Sequence, residues 1–212
     1  MMGVFVVQIV VILGSVDDNM TINSGDIIKP MKFQDKCRMG QVTRFHMVRT
    51  YREQTMAEHC YLVAVIAEEL AKAVMIPETG NVIKLALMHD RHEVITGDIP
   101  TPFKKDIDKN SDYNFLELVE KVDPNYMLLR RDMSLSELVV VEMADMIEAV
   151  IFLEKEGIDS HASRVRQYIF DKLWDLIEIM DNKHGSNDKW AIAVSMVTDK
   201  LREHTTVSIN ES

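Results

Sequence analysis

The sequence predicts an all-α, single-domain protein, and three observations carry that prediction. Apolar residues recur at helical spacing over most of the chain after residue 20, capping signatures mark helix starts, and strand signals are nearly absent there. The 212 residues, 47% hydrophobic and 27% charged, suffice for one sizeable core and are too few for two comfortable domains. No internal repeat, low-complexity tract or Gly/Ser-rich linker divides them.

Residues 1–19 read differently from the rest. The first 14 are apolar but too short to span a bilayer, and no Lys or Arg precedes them as a secretory signal requires. Polar residues follow at Ser15, Asp17, Asp18 and Asn19, and Met20 then opens a stretch that reads as an ordinary cytosolic start. Residues 1–19 are therefore expected to be a dispensable apolar extension, the product of a misassigned start, and residues 20–212 the domain. Thr55-Met56-Ala57-Glu58 has the form of a capping box and opens a helix through Leu62, Val65, Ile66 and Ala73, with His59 in its first turn. A second helix is predicted over residues 81–94. Gly97 stops it before a loop stiffened by Pro100 and Pro102. Amphipathic patterns over 113–129, 161–181 and 186–204 predict further helices, and a second capping box at Ser134–Glu137 starts one that runs to Glu156 and ends at Gly157.

The net charge of −10 and pI near 5.2 argue against a nucleic-acid polymer as partner, because displacing counterions from a duplex needs clustered Lys and Arg, and no such stripe occurs. A small anionic substrate remains compatible. Cys37 and Cys60 are the only cysteines and form no CxxC pair, which favours a reducing compartment, the cytoplasm, with no stable membrane association.

The most informative feature is His89-Asp90, at the end of the apolar run over 84–88, with His59 upstream and Asp145 downstream on other predicted helices. Two imidazoles and two carboxylates suit one divalent cation with open positions, which polarises a phosphoryl oxygen and generates hydroxide near neutral pH. Asp145 stands out because Leu138, Val141, Ile147, Ala149 and Phe152 make its helix apolar over much of its circumference. An unpaired carboxylate buried there costs several kcal/mol, so it needs a partner. The bland alternative puts Asp145 on a narrow polar stripe with Glu142 and Glu148.

Glu93, three residues past Asp90, is expected on the same helix face and within reach of an attacking water, against the alternative of a solvated helix end. Asp98 is either a turn-former or a partner for a substrate hydroxyl. His92 is expected to hydrogen-bond behind the ligands or to lie on the surface. Arg44 and Arg49 offer forked donors to phosphate, and Lys104 and Lys105 a looser electrostatic contact; ordinary surface ion pairing is the alternative for all four.

In order, His59, His89-Asp90 and Asp145 resemble the H…HD…D pattern of the HD phosphohydrolase superfamily. More narrowly, Arg44-Phe45 through Ala57-Glu58-His59, with His89-Asp90-x-x-Glu93-Val94-x-Thr96-Gly97-Asp98-Ile99-Pro100-Thr101-Pro102, is similar to the bacterial HD-domain 5′-deoxynucleotidases. The resemblance implies a single-domain HD-type helical bundle, a homodimer, and one divalent metal ion (Mn, Co, Mg or Fe) on His59, His89, Asp90 and Asp145. It also implies a phosphate contact from Arg44 and active-site roles for Glu93 and Asp98. Two departures stand near where sugar, base or extra phosphate would sit: Phe45 replaces the usual Trp, and Arg91-His92 replaces a pair of small residues. Phe45 is expected to stack on a base or sugar, and Arg91 to suit a longer phosphate chain. The expected activity is release of phosphate from deoxynucleoside 5′-monophosphates. The alternatives are a dATP-type triphosphohydrolase, which phage relatives of the same scaffold exemplify, and a non-catalytic nucleotide-binding module.

Overall fold

The ordering of the helices follows from where their caps and breakers fall. The computed structural model describes residues 29–110, 114–184 and 188–203. The expected extension 1–19 and the boundary at Met20 lie outside them. Among the described residues the chain runs through α1 (Phe33–Lys36), a 3-10 turn (Met39–Gln41), β1 (Thr43–Arg44), β2 (Gln54–Thr55) and α2 (Met56–Ala73). It continues through α3 (Gly80–Ala86), α4 (Glu93–Thr96), α5 (Thr101–Asn110), α6 (Phe115–Val122), α7 (Pro124–Asp132), α8 (Leu135–Glu156), α9 (Ser160–His184) and α10 (Lys189–Glu203). No described helix is long and apolar enough to cross a membrane.

The core forms around α8, which packs against α2, α3 and α9, while α10 covers α2 and α9. Its buried residues include Leu138, Val140, Met143, Ala144, Ile147 and Ile151, facing Val63, Ala67, Leu70 and Val82. Burial on several sides of α8 is the reason its polar positions need partners. Ser134 closes its N-terminus as a full capping box with Glu137. Thr55 caps α2 by accepting from Glu58 N, but Glu58 turns to Arg52 instead of back to the cap, so only half the expected box forms.

Three expectations are corrected. The helix predicted over 81–94 ends at Ala86, and residues 87–92 form a tight turn before α4, so His89-Asp90 sits in that turn. Helical periodicity misled there because the turn keeps helix-like hydrogen bonds, such as Glu93 N to Asp90 O at 2.9 Å. The helix predicted over 113–129 breaks at Asp123, since Pro124 disfavours helical backbone in the residue before it and is itself well suited to a first helical position. The loop expected after Pro100 is short: α5 begins at Thr101, with Pro102 in its first turn.

The only described sheet is the β1–β2 ribbon, antiparallel with Thr43 opposite Thr55 and Arg44 opposite Gln54. Its connecting loop is tied to the end of α8 by Tyr51 N to Glu156 O (2.9 Å), Ile158 N to Arg49 O (3.1 Å) and a bridge between Thr50 and Gly157. Gly157 is required there for space, since a Cβ would stand 2.6 Å from Leu153 O and 2.9 Å from Ala162 Cβ. Gly157→Ala is thus expected to destabilise the protein by about 1–3 kcal/mol, the usual cost of overpacking. A domain of this size loses about 2–4 °C of Tm per kcal/mol. An unchanged melting curve by circular dichroism would show that the α8–α9 corner yields freely.

Candidate metal centre

Four side-chain atoms converge from three parts of the chain: His59 from the first turn of α2, His89 and Asp90 from the turn after α3, and Asp145 from mid-α8. His59 Nε2 lies 3.2 Å from His89 Nε2, 3.1 Å from Asp145 Oδ1 and 3.7 Å from Asp90 Oδ2. His89 Nε2 lies 3.2 Å from Asp90 Oδ2 and 4.0 Å from Asp145 Oδ1. Ligands held about 2.1 Å from one ion stand about 3.0–3.4 Å apart at octahedral or tetrahedral angles. The observed spacings fit a single divalent cation with little adjustment.

The proton positions fit as well. His89 Nδ1 lies 2.7 Å from Ala86 O, so an N–H there donates to the carbonyl and Nε2 faces the centre; Asp90 beside it holds the imidazole pKa well above its ordinary value against burial, so Nε2 must give up a proton to ligate a metal. His59 Nδ1 is 2.6 Å from both Glu148 Oε2 and Arg44 Nη1. An anionic Glu148 accepts from both, which puts the His59 proton on Nδ1 and frees its Nε2. This is the carboxylate–histidine arrangement that orients metal ligands.

Glu148 is thus the residue that sequence reasoning undervalued as part of a polar stripe. It is 3% exposed and receives Gln54 Nε2 at 2.6 Å and Arg44 Nη1 at 2.9 Å. Burial opposes its charge, but His59, Arg44 and Gln54 outweigh that and hold the carboxyl below its ordinary range. Its signal was available: a second carboxylate one turn after Asp145 on the same apolar helix.

Arg44 also reaches Asp145 Oδ1 at 2.8 Å. Burial works against the guanidinium charge, but Asp145, Glu148, Asp90 and Asp98 raise its pKa above the ordinary value. The same balance drives Asp145 and Asp90 far below the usual carboxylate range, since burial is overcome by Arg44 and His59 at Asp145 and by His89 and Lys104 at Asp90. Both carboxylates are ready as anions.

Glu93 goes the other way. It is 2% exposed, and burial, reinforced by Asp90 and Asp98 and only partly offset by Lys104, pushes its pKa up to about 8. Lys104 Nζ donates to its Oε1 at 2.8 Å, while Oε2 has no partner. Lys104 is therefore drawn in from α5 to the carboxylate cluster and is more than a solvated surface cation. Asp98 Oδ2 accepts from Phe45 N at 2.9 Å, just past Gly97, whose φ of 72° turns the chain out of α4. Phe45 itself has φ 56°, and its ring stacks on Phe152 at 5.9 Å with the Arg44 guanidinium 4.7 Å above it.

The remaining expectations fare differently. Arg91 points away from the centre and grips buried Asp123 at 2.7 and 2.8 Å, so it supplies no free cation for a longer phosphate chain. His92 is buried and so does not lie on the surface, and its polar neighbour is the His89 backbone, behind the candidate ligands. Burial lowers its pKa to about 4, so it stays neutral. Arg49 is exposed; its carbonyl accepts from Ile158 N and its charge acts on Asp159.

This helical fold and cluster of imidazole and carboxylate donors are what the resemblance to a metal-dependent HD phosphohydrolase implies. A family model described as 5′-deoxynucleotidase YfbR-like matches residues 31–211, and the chain belongs to that family. It is 28% identical over 187 residues to the dATP triphosphohydrolase of Acinetobacter phage SH-Ab 15497, covering 81% of this chain and 91% of the phage protein. To the 5′-deoxynucleotidase ECA3034 of Pectobacterium atrosepticum it is 30% identical over 137 residues, covering 56% of this chain and 69% of that protein. In fold it is similar to the cyanophage S-2L HD phosphohydrolase DatZ, a structure bound to dA and one catalytic Zn2+ ion. The two share a TM-score of 0.69 at 20% identity, over 84% of this chain and 99% of that one.

Because Glu148 orients His59, Glu148→Gln is expected to weaken metal affinity about 10- to 100-fold, the usual effect of losing such a partner. Titration of the metal-free protein with Co2+ followed by calorimetry measures it. Equal affinity in the variant would remove Glu148 from the metal centre.

Proposed function

We propose that the protein is a 5′-deoxynucleotidase that hydrolyses deoxynucleoside 5′-monophosphates to deoxynucleoside and phosphate, with His59, His89, Asp90 and Asp145 holding one divalent cation. The observation that carries this reading is the convergence of those four donor atoms beside a second layer of charges, Glu93–Lys104 on one side and Arg44 on the other. The cation supplies Lewis-acid polarisation of the phosphoryl oxygen and a hydroxide nucleophile near neutral pH.

The chain's own groups supply the rest. Glu93, with a pKa near working pH, takes the proton of the attacking water and returns it to the leaving 5′-oxygen of the deoxynucleoside, while Lys104 holds its carboxylate in place. Arg44 is charged throughout, and its forked donors at the edge of the ligand cluster neutralise charge developing on the phosphate oxygens. Asp98 sits behind the Phe45 backbone, where its other oxygen accepts from a sugar hydroxyl, and Phe45 forms the floor on which sugar or base rests. The complete set of ligands and acid–base groups speaks against a non-catalytic module. The family reading includes a homodimer working in the cytoplasm, with residues 20–212 as the functional domain.

A second reading, a dATP-type triphosphohydrolase, is favoured by the phage relative that matches more of the chain than the bacterial one does. The engagement of Arg91 by Asp123 removes the cation that would have suited a triphosphate, and for this reason the monophosphate leads. The deciding experiment offers deoxynucleoside mono- and triphosphates with Mn2+, Co2+, Mg2+, Fe2+ or Zn2+ and identifies the product. Phosphate from monophosphates is expected; tripolyphosphate from triphosphates would establish the second reading.

The Glu93 assignment gives a paired prediction. Glu93→Gln should lower kcat by about 10²-fold or more with metal retained, because general acid–base assistance is worth that much. A raised pKa means that burial favours the protonated form. The native state is therefore most favoured below the ordinary value near 4.5, and that advantage is lost as pH rises through about 8. The neutral amide avoids this loss, so the metal-free variant should gain Tm over the wild type between pH 5 and pH 8.5. Parallel Tm–pH curves together with normal turnover would exclude Glu93 from the chemistry.

A further inference from the structure

A cavity of about 170 Å³ opens beside the metal centre, with His89, Asp90 and Asp145 at one end. Its walls are apolar, from Phe115 and Val119 of α6 and Leu138 and Val141 of α8. Two charged side chains outside the catalytic set also line it, Arg130 of α7 and Glu142 of α8. Arg130 is steadied by donating from Nη1 to Tyr126 Oη at 3.0 Å, and Tyr126 is itself buried in the wall. A slot of this size is smaller than the usual pocket for a whole small ligand, but its mix of apolar walls and convergent polar groups suits one planar ring.

We propose that Arg130 and Glu142 read the edge of the nucleobase, which lies in this slot with the 5′-phosphate at the metal end. The proposal rests on the deoxynucleotide reading given above. A guanidinium beside a carboxylate presents hydrogen-bond donors next to acceptors, which complements a planar neutral group carrying acceptors next to donors, as a base edge does. A polyphosphate tail fits the far end of the slot poorly, because Arg130 is the only cation lining that end and the Glu142 carboxylate stands with it. The ring of Phe115 and the branched side chains of α8 give the base a flat apolar seat. Arg44 and Lys104 are not among the cavity's lining residues, so phosphate charge and base recognition are handled by different parts of the chain.

The test uses the four 2′-deoxynucleosides, which lack phosphate, together with their 5′-monophosphates. Metal-loaded full-length wild type, Arg130→Met and Glu142→Gln are compared by calorimetric Kd and by kcat/KM, with circular dichroism to confirm folding. The wild type should discriminate between bases by about tenfold or more, the order of one well-made bidentate contact. Either variant should flatten that preference while its least favoured base changes little. Glu142 is solvent-exposed, so its amide variant keeps the test open should Arg130→Met fold poorly. Equal losses for all four bases, or no change in either variant, would overturn the proposal. If the wild type binds deoxynucleosides selectively but hydrolyses none of the nucleotides, the hydrolase reading fails while base recognition stands.

Discussion

The arrangement depends on one buried carboxylate. Glu148, on a helix buried along most of its length, is stable as an anion only because three donors from different elements meet it: Gln54 from β2, His59 from α2 and Arg44 from β1. An ion buried without such partners costs several kcal/mol, so the fold is constrained to bring them there. That constraint explains why a two-residue ribbon persists in a helical protein. The register that sets Arg44 opposite Gln54 brings both side chains to the same carboxylate. Fixing His59 Nδ1 on Glu148 also fixes its ring, and with it the direction in which Nε2 faces the other ligands.

The charges beyond Glu148 are sorted by the same low-dielectric surroundings. Asp90, Asp145, Glu93 and Asp98 crowd one small volume, and they cannot all ionise at ordinary pKa values without cations between them. Arg44 and the imidazoles serve Asp145 and Asp90, which drop far below their usual range. Glu93 is left with Lys104 alone against two neighbouring carboxylates and its own burial, and it rises to about 8. Environments that drive neighbouring carboxyl groups apart suit them to different work, permanent anions on one side and a group that exchanges its proton near neutrality on the other. The division needs no special residue type; it follows from which cation stands next to which acid.

How much of this was legible in the sequence depends on the range of each signal. The caps at Thr55 and Ser134 were readable because capping is local, and Gly157 was readable as a stop. The convergence of His59, His89, Asp90 and Asp145 was readable from residue types in order and from the cost of burying Asp145. The break at Pro124 was a local signal outweighed by a strong apolar period on both sides of it. The partners of Glu148 were not readable, since Gln54 and Arg44 lie 94 and 104 residues away and nothing local distinguishes them from surface polar residues. Lys104 was underrated for the same reason: its pull toward Glu93 exists only once α5 has folded back over α4.

The Arg91-His92 pair shows how a departure in sequence acquires meaning only through its contacts. Read alone, an Arg and a His inserted beside a metal pair look like added positive charge for a longer phosphate chain. In the fold, Arg91 is saturated by Asp123, a residue that also caps α7, so its charge anchors the ligand-bearing turn to the α6–α7 junction. His92 is uncharged, and its ring packs edge-on against Phe115 at 5.6 Å, joining the wall of the cavity beside the candidate metal centre. The pair therefore adds rigidity and shape beside the metal centre and no net charge facing the substrate. Arg44 and Lys104 are each likewise committed to carboxylates, so the cations nearest the candidate metal centre are all spoken for within the fold.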